Sequence, residues 1–134
     1  MKRALNPDGL AAPLGPYSLV TVVPAGELVF CGGTIALDED GAVVGAGDMA
    51  AQTEQVMQNM QIALAAAGAT FDDVVKIVTY VTDVARYPEL AAVRAAYLRA
   101  PYPTSTLIEV AGLMLPELLV EIDAIAVRPA GRAS

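Results

Sequence analysis

Period two governs the C-terminal part of the chain. In LLVEIDAIAV, Leu118 to Val127, alternate residues of a strand fall on opposite sides. Leu118, Val120, Ile122, Ala124 and Ala126 therefore form one wholly apolar face. Leu119, Glu121, Asp123, Ile125 and Val127 form the other, so two carboxylates share a face with bulky aliphatics. Burying a charge without a partner is costly, and the acid-bearing face must reach water, a partner or a site.

The same patterning predicts the remaining elements. The first dozen residues, with Pro7, Gly9 and Pro13 nearby, read as an extended arm, and residues 129–134 as a tail, of one domain spanning 1–134. Ser18 to Val23 reads as a strand, Pro24-Ala25-Gly26 as a turn, and Glu27 to Leu37 as a strand interrupted by Gly32-Gly33, a pair that marks a bulge or a close backbone approach. Asp38-Glu39-Asp40-Gly41 closes that element. Asp48 is placed to cap a helix whose inner positions are Met49, Thr53, Val56, Met57, Met60 and Leu64, ended by Gly68. The methionines on that stripe are read as helix core rather than as an adaptable binding surface. Val74 to Val84 alternates as a strand. Pro88 stands near the start of a second helix with Leu90, Val93, Ala96 and Tyr97 inward, ending at Leu98 or Arg99 before Pro101 and Pro103. Ser105 to Val110 is a further strand. The order β-β-α-β-α-β-β predicts an α+β sandwich, with two helices on one face of a mixed or antiparallel sheet. The other face would be a large exposed apolar surface, which monomers rarely tolerate, and this predicts an oligomer.

Composition narrows the chemistry. The 134 residues are 55% hydrophobic and 17% charged, enough for a core and far from a disordered composition. A net charge of −7, no basic run and only 5% aromatics disfavour nucleic-acid binding. No apolar run approaches the ~18 residues of a membrane span, and the N-terminus lacks the apolar core of a signal peptide, so a cytoplasmic location is expected. The single cysteine, Cys31, forms no intramolecular disulfide and no zinc site, and reads as a small strand hydrophobe. Histidine is absent, which removes the usual general base and the nucleophile–histidine dyads.

Gly15-Pro16-Tyr17, Gly33 followed by Ile35, the Val74-to-Asp83 strand and the terminal Glu121-Ile122-Asp123-Ala124-Ile125-Ala126-Val127 together resemble the RidA/YjgF/UK114 family, over about Ala12 to Arg128. The resemblance implies a chorismate mutase-like sheet backed by two helices, assembled as a homotrimer around a central barrel with small-molecule clefts between subunits. It also implies cofactor-free hydrolysis of imines or enamines such as 2-aminoacrylate. An arginine would clamp the substrate carboxylate, and a glutamate, matched by Glu121, would handle the water. The residues carried over to the cleft are Tyr17, Gly32, Gly33, Ser105 and Leu107, with no cofactor and no metal.

Departures from the family pattern are specific. Ser105 falls where the arginine of a Pro-x-Arg-Ser-Cys-Val-Glu-Val segment would stand, Leu107 takes the cysteine position, Gly32 matches a serine, and Ala91 matches an asparagine. A neutral serine does not replace a bidentate cation. Losing a hydrogen bond to a charged group costs roughly 1.5–3 kcal/mol, or about ten- to a hundredfold. Arg86, Arg94 and Arg99 are read as solvated helix arginines, any of which would have to supply charge from another direction. Parity puts Ser105, Leu107 and Glu109 on one face of their strand. If that face meets Glu121 and Asp123, three acids gather, and Glu121 foremost is expected to titrate above the ordinary value of about 4.3. The plainer reading of Glu109 and Asp123 pairs them with a cation or backbone N–H groups, and a carboxylate cluster binding Mg²⁺ or Ca²⁺ is disfavoured for want of a ligand loop.

Three functions compete. The first is a Rid-like hydrolase or deaminase with Glu121 positioning water. The second is a non-catalytic trimeric small-molecule-binding or regulatory protein, favoured by the missing arginine. The third, ribonuclease action, is opposed by the negative charge and the missing histidine. A free Glu121 would favour the enzyme and a salt-bridged Glu121 the scaffold.

Overall fold

A computed structural model describes residues 1–133. The elements are β1 (Arg3–Leu5), β2 (Val20–Val22), β3 (Gly26–Ile35), α1 (Met49–Ala66), β4 (Val74–Val81), α2 (Tyr87–Arg94), β5 (Thr104–Glu109) and β6 (Val120–Pro129). Four strands form one sheet in the order β3-β6-β4-β5. The sheet is mixed: β6 runs antiparallel to β3 and β4, whereas β5 runs parallel to β4, reached by the crossover through α2.

Capping and periodicity act locally as expected. The Asp48 carboxylate accepts from Ala51 N at 3.0 Å and starts α1, and Gly68, at φ +67°, turns the chain after its last turn. Met49, Met57, Met60 and Leu64 of α1 are fully buried, with Ile77 of β4 and Val120, Ile122 and Ala126 of β6, in one apolar cluster between helices and sheet. The methionines are thus core. Cys31 is buried too, and burial pushes its thiol up, away from the reactive thiolate.

The register of β3 against β6 shifts between Cys31 and Thr34, so Gly32 and Gly33 together oppose Asp123. This is the bulge that the glycine pair predicts. Several boundaries need correction. The N-terminal arm is not simply extended: Arg3–Leu5 pairs antiparallel with Val20–Val22 in a separate two-stranded sheet, held to β4 by the Thr21 hydroxyl donating to Val75 O at 3.0 Å. The Val74 strand stops at Val81, because Asp83 accepts from Ala85 N and opens a tight turn into α2. The second helix ends at Arg94, leaving Ala96 exposed in a turn. The predicted tail begins inside β6, which reaches Pro129, and Arg132 docks on Asp73 at 2.5 Å; Ser134 lies outside the described residues.

The sheet face away from the helices is open. Leu28 and Phe30 of β3, partners of Val127 and Ile125, are 63% and 70% exposed there. No helix among the described residues is long and apolar enough to cross a membrane.

Candidate functional site

Two groups of candidate residues emerge, on opposite faces of the sheet. The first stands on the open face. Tyr80 of β4 lies opposite Glu121 of β6, and Val78 opposite Asp123. The Tyr80 hydroxyl donates to Asp123 Oδ2 at 3.1 Å. That hydrogen bond and the Asp123 charge, helped by desolvation and by Glu121, push the Tyr80 phenol up from its ordinary value. Glu121 is half-buried beside the bulge. A Cβ at Gly33 would lie 2.8 Å from the Glu121 carboxyl carbon, so the absence of a side chain there makes room for the carboxylate. Among the described residues no hydrogen bond and no ion pair engages Glu121, whereas Asp123 is engaged by Tyr80. Gly32 contributes to the bulge and leaves open space where a side chain would stand.

The second group lies at the β5 edge, on the helix side. Tyr17, Ser105 and Leu107 line a cavity of about 270 Å³ with Leu14, Gly15 and Tyr87. Ser18 fixes the approach: its N donates to Pro103 O at 2.9 Å and its hydroxyl to Tyr102 O at 2.7 Å, tying the segment after Gly15-Pro16-Tyr17 to the start of β5. The Tyr17 hydroxyl accepts from Leu14 N at 3.1 Å. Among the described residues the lining carries three hydroxyls, of Tyr17, Tyr87 and Ser105, and no carboxylate.

Parity within β5 holds, with Ser105, Leu107 and Glu109 on one face, but that face does not meet Glu121 and Asp123. Ser105 pairs with Ile77 and Leu107 with Thr79, both buried against the helices, whereas the residues sharing the face of Glu121 and Asp123 are Thr106 and Ile108. The three-acid cluster therefore does not form within a chain. Glu109 instead accepts from Val84 N at 2.9 Å, as the plainer reading holds. No group of three or more metal-ligating side chains occurs among the described residues.

The arginines also divide. Arg99 is exposed and pairs with Asp72 at 2.5 Å, and Arg86 pairs with Glu89 at 2.9 Å. Arg94 is not solvated: it is 1% exposed. Its Nη1 donates to Thr79 Oγ1 at 3.1 Å and its Nη2 to the Tyr87 hydroxyl at 2.8 Å. The guanidinium also lies over the Tyr87 ring, 5.7 Å from the centroid. The signal for this is present in the sequence, since Tyr87, Leu90 and Arg94 are spaced i, i+3, i+7 on one helix face. Arginine's usual place on the surface hides it.

Known proteins resemble this chain over nearly its whole length. The family model described as Endoribonuclease L-PSP matches residues 9–128. The Protein DfrA of Myxococcus xanthus is 35% identical over 94% of this chain and 95% of its own length. A protein named 3-aminoacrylate deaminase RutC, from Acinetobacter baylyi, is 35% identical over 93% of this chain and 97% of its own. The chain belongs to the RidA/YjgF family. A crystal structure of a Rid-family protein of unknown function, YyfB from Yersinia pestis, superposes with a TM-score of 0.87 at 34% identity, covering 95% of this chain and 98% of that one. The α+β fold, with two helices on a sheet, is thus that of the Rid family.

Proposed function

We propose that the chain is a Rid-type hydrolase that deaminates an imine, an enamine or a related small molecule. It acts in a cleft between copies of a homotrimer. The observation carrying this reading is Glu121: a half-buried carboxylate, free of any ion pair among the described residues, in a space that Gly33 keeps open. Glu121 and the Tyr17–Ser105–Leu107 cavity occupy opposite sheet faces of one chain, so the site needs a second copy, whose Glu121 meets the cavity of its neighbour. The exposed Leu28 and Phe30 supply apolar surface for that contact.

In the reaction, Glu121 takes a proton from water as the water oxygen adds to the imine carbon, and passes that proton to the imine nitrogen. The resulting carbinolamine loses ammonia as the carbonyl forms, so one water is consumed and one ammonia released. An enamine enters the same route after protonation on carbon. No cofactor takes part, and a carboxylate suits the role in a chain without histidine. A cytoplasmic location is part of this reading.

Imines generated in situ, with and without a carboxylate, test it at micromolar enzyme by ammonia release. Turnover is expected, and Glu121→Gln is expected to abolish it; turnover unchanged in that variant would end the proposal. The second reading, a trimeric binding protein, draws on Ser105 in the arginine position. It gains if no imine turns over while small ligands raise the melting temperature.

A further inference from the structure

Among the described residues Arg94 is without the counter-charge that a buried cation usually has. Among the described residues no carboxylate pairs with it, and its Nε has no hydrogen-bond partner. Its two partners, Thr79 and Tyr87, are neutral. The acids on neighbouring elements are committed elsewhere. Glu89 pairs with Arg86, Glu54 accepts from Tyr97, and Glu109 accepts from Val84 N. Solvent screens a charge so placed only weakly.

Tyr87 connects this charge to the cavity. Its hydroxyl oxygen accepts from Arg94, so its proton is left to donate, and among the described residues nothing accepts it. A hydroxyl polarised by a cationic donor is itself a stronger donor. The same residue lines the 270 Å³ cavity next to Ser105 and Tyr17, and Tyr17 repeats the arrangement, accepting from Leu14 N with its proton to spare. A pocket walled by apolar groups, edged by hydroxyl donors, free of acids and backed by an unpaired guanidinium is built for an anionic oxygen.

We propose that Tyr87, with Arg94 as the residue that positions and polarises it, binds the carboxylate of a small ligand in this cavity, replacing the cation absent at Ser105. This rests on the reading of the cavity as the substrate-binding half of the site. Arg94 acts through Tyr87 and does not touch the ligand.

The test uses propionate and its neutral isostere propionamide as probes, titrated into the full-length protein in its native assembly state and followed by NMR. The wild type is expected to favour propionate by at least about tenfold, the scale of one hydrogen bond to a charged group. Tyr87→Phe keeps the ring against Arg94 and is expected to remove most of that preference. A purely structural role for the Arg94–Tyr87 pair would lower the melting temperature of the variant without moving the ratio. Equal affinities in the wild type, binding of neither probe, or an unchanged ratio in Tyr87→Phe would overturn the assignment. Arg94→Met endangers the fold, so Tyr87→Phe decides. Equal probe affinities alongside Glu121-dependent turnover would sink only the carboxylate assignment. A propionate preference with no turnover of any imine would sink only the hydrolase reading.

Discussion

The two faces of β6 come from one alternating stretch of sequence and live in different surroundings. Toward the helices, Val120, Ile122, Ala124 and Ala126 are all buried, and their neighbours are methionines and aliphatics of α1 and β4. Away from the helices, Glu121, Asp123, Ile125 and Val127 are only half-covered, and the β3 residues opposite Ile125 and Val127, Phe30 and Leu28, are mostly exposed. The covered face spends its side chains on packing, where every methylene counts. The open face keeps Glu121 and its apolar surface available, with Asp123 held by Tyr80. Core packing and the carboxylate-bearing surface are thus separated across the thickness of this one strand, and substitutions on its two sides should fail in different ways.

The largest effect on stability is expected on the covered face. Ile122→Ala removes a fully buried side chain from the middle of the core and should cost about 2–5 kcal/mol in urea unfolding. A loss below about 1 kcal/mol would mean that the core relaxes around the site far more than a close-packed interior allows. On the open face, Phe30→Asp should change the folding of an individual chain by no more than about 0.5 kcal/mol, yet break the assembly, read by sedimentation velocity. An intact oligomer in that variant would remove the open face as the contact between copies.

The smallest effect sharpens the contrast through two tyrosines. Tyr97, packed edge-on against Phe71, is pushed up to about 12, first by burial and then by its hydrogen bond to Glu54. Tyr80, on the open face, is raised chiefly by its hydrogen bond to Asp123. Both folded-state values lie above that of an unfolded phenol, about 10. Their contribution to stability is therefore whole below that pH and is lost as pH rises through the folded value. Asp123→Asn should bring Tyr80 back toward ordinary ionisation and leave Tyr97 where it is, as read by the ultraviolet absorbance of the phenolate. A shift of both tyrosines together would show that the two faces are not electrically separate.

Local signals are legible in the order of residues alone. The Asp48 cap, the Met49–Leu64 stripe, the glycine bulge and the two faces of β6 all follow from residues within a few positions of one another. So does the family likeness, carried by Gly15-Pro16-Tyr17 and the terminal Glu121–Val127 segment. The misreadings share a cause, which is reliance on what a residue type or a short stretch usually does. Arginines usually sit in solvent, but the spacing of Arg94 from Leu90 puts it on the buried stripe. The Arg3–Leu5 segment has too short a pattern to announce a strand, and it becomes one only because Val20–Val22 is there to receive it.

The sequence by itself determined the two helices and the four strands of the main sheet, their buried stripes, the absence of a histidine base and the placing of Glu121 beside Asp123 on a single strand face. Tertiary structure alone decided which face of β5 looks the same way as those acids. Alternation within a strand is a local property, but the matching of two strands is a matter of register. A shift of one residue sends a whole row of side chains to the other side. With Ser105 set against Ile77 and Leu107 against Thr79, the hydroxyl-lined cavity and Glu121 are parted by the sheet itself. The same packing brings Tyr87, with Arg94 over its ring, to the cavity, a placement no spacing could give, because the cavity is made by the Gly15-Pro16-Tyr17 segment returning to the edge of a strand nearly ninety residues later.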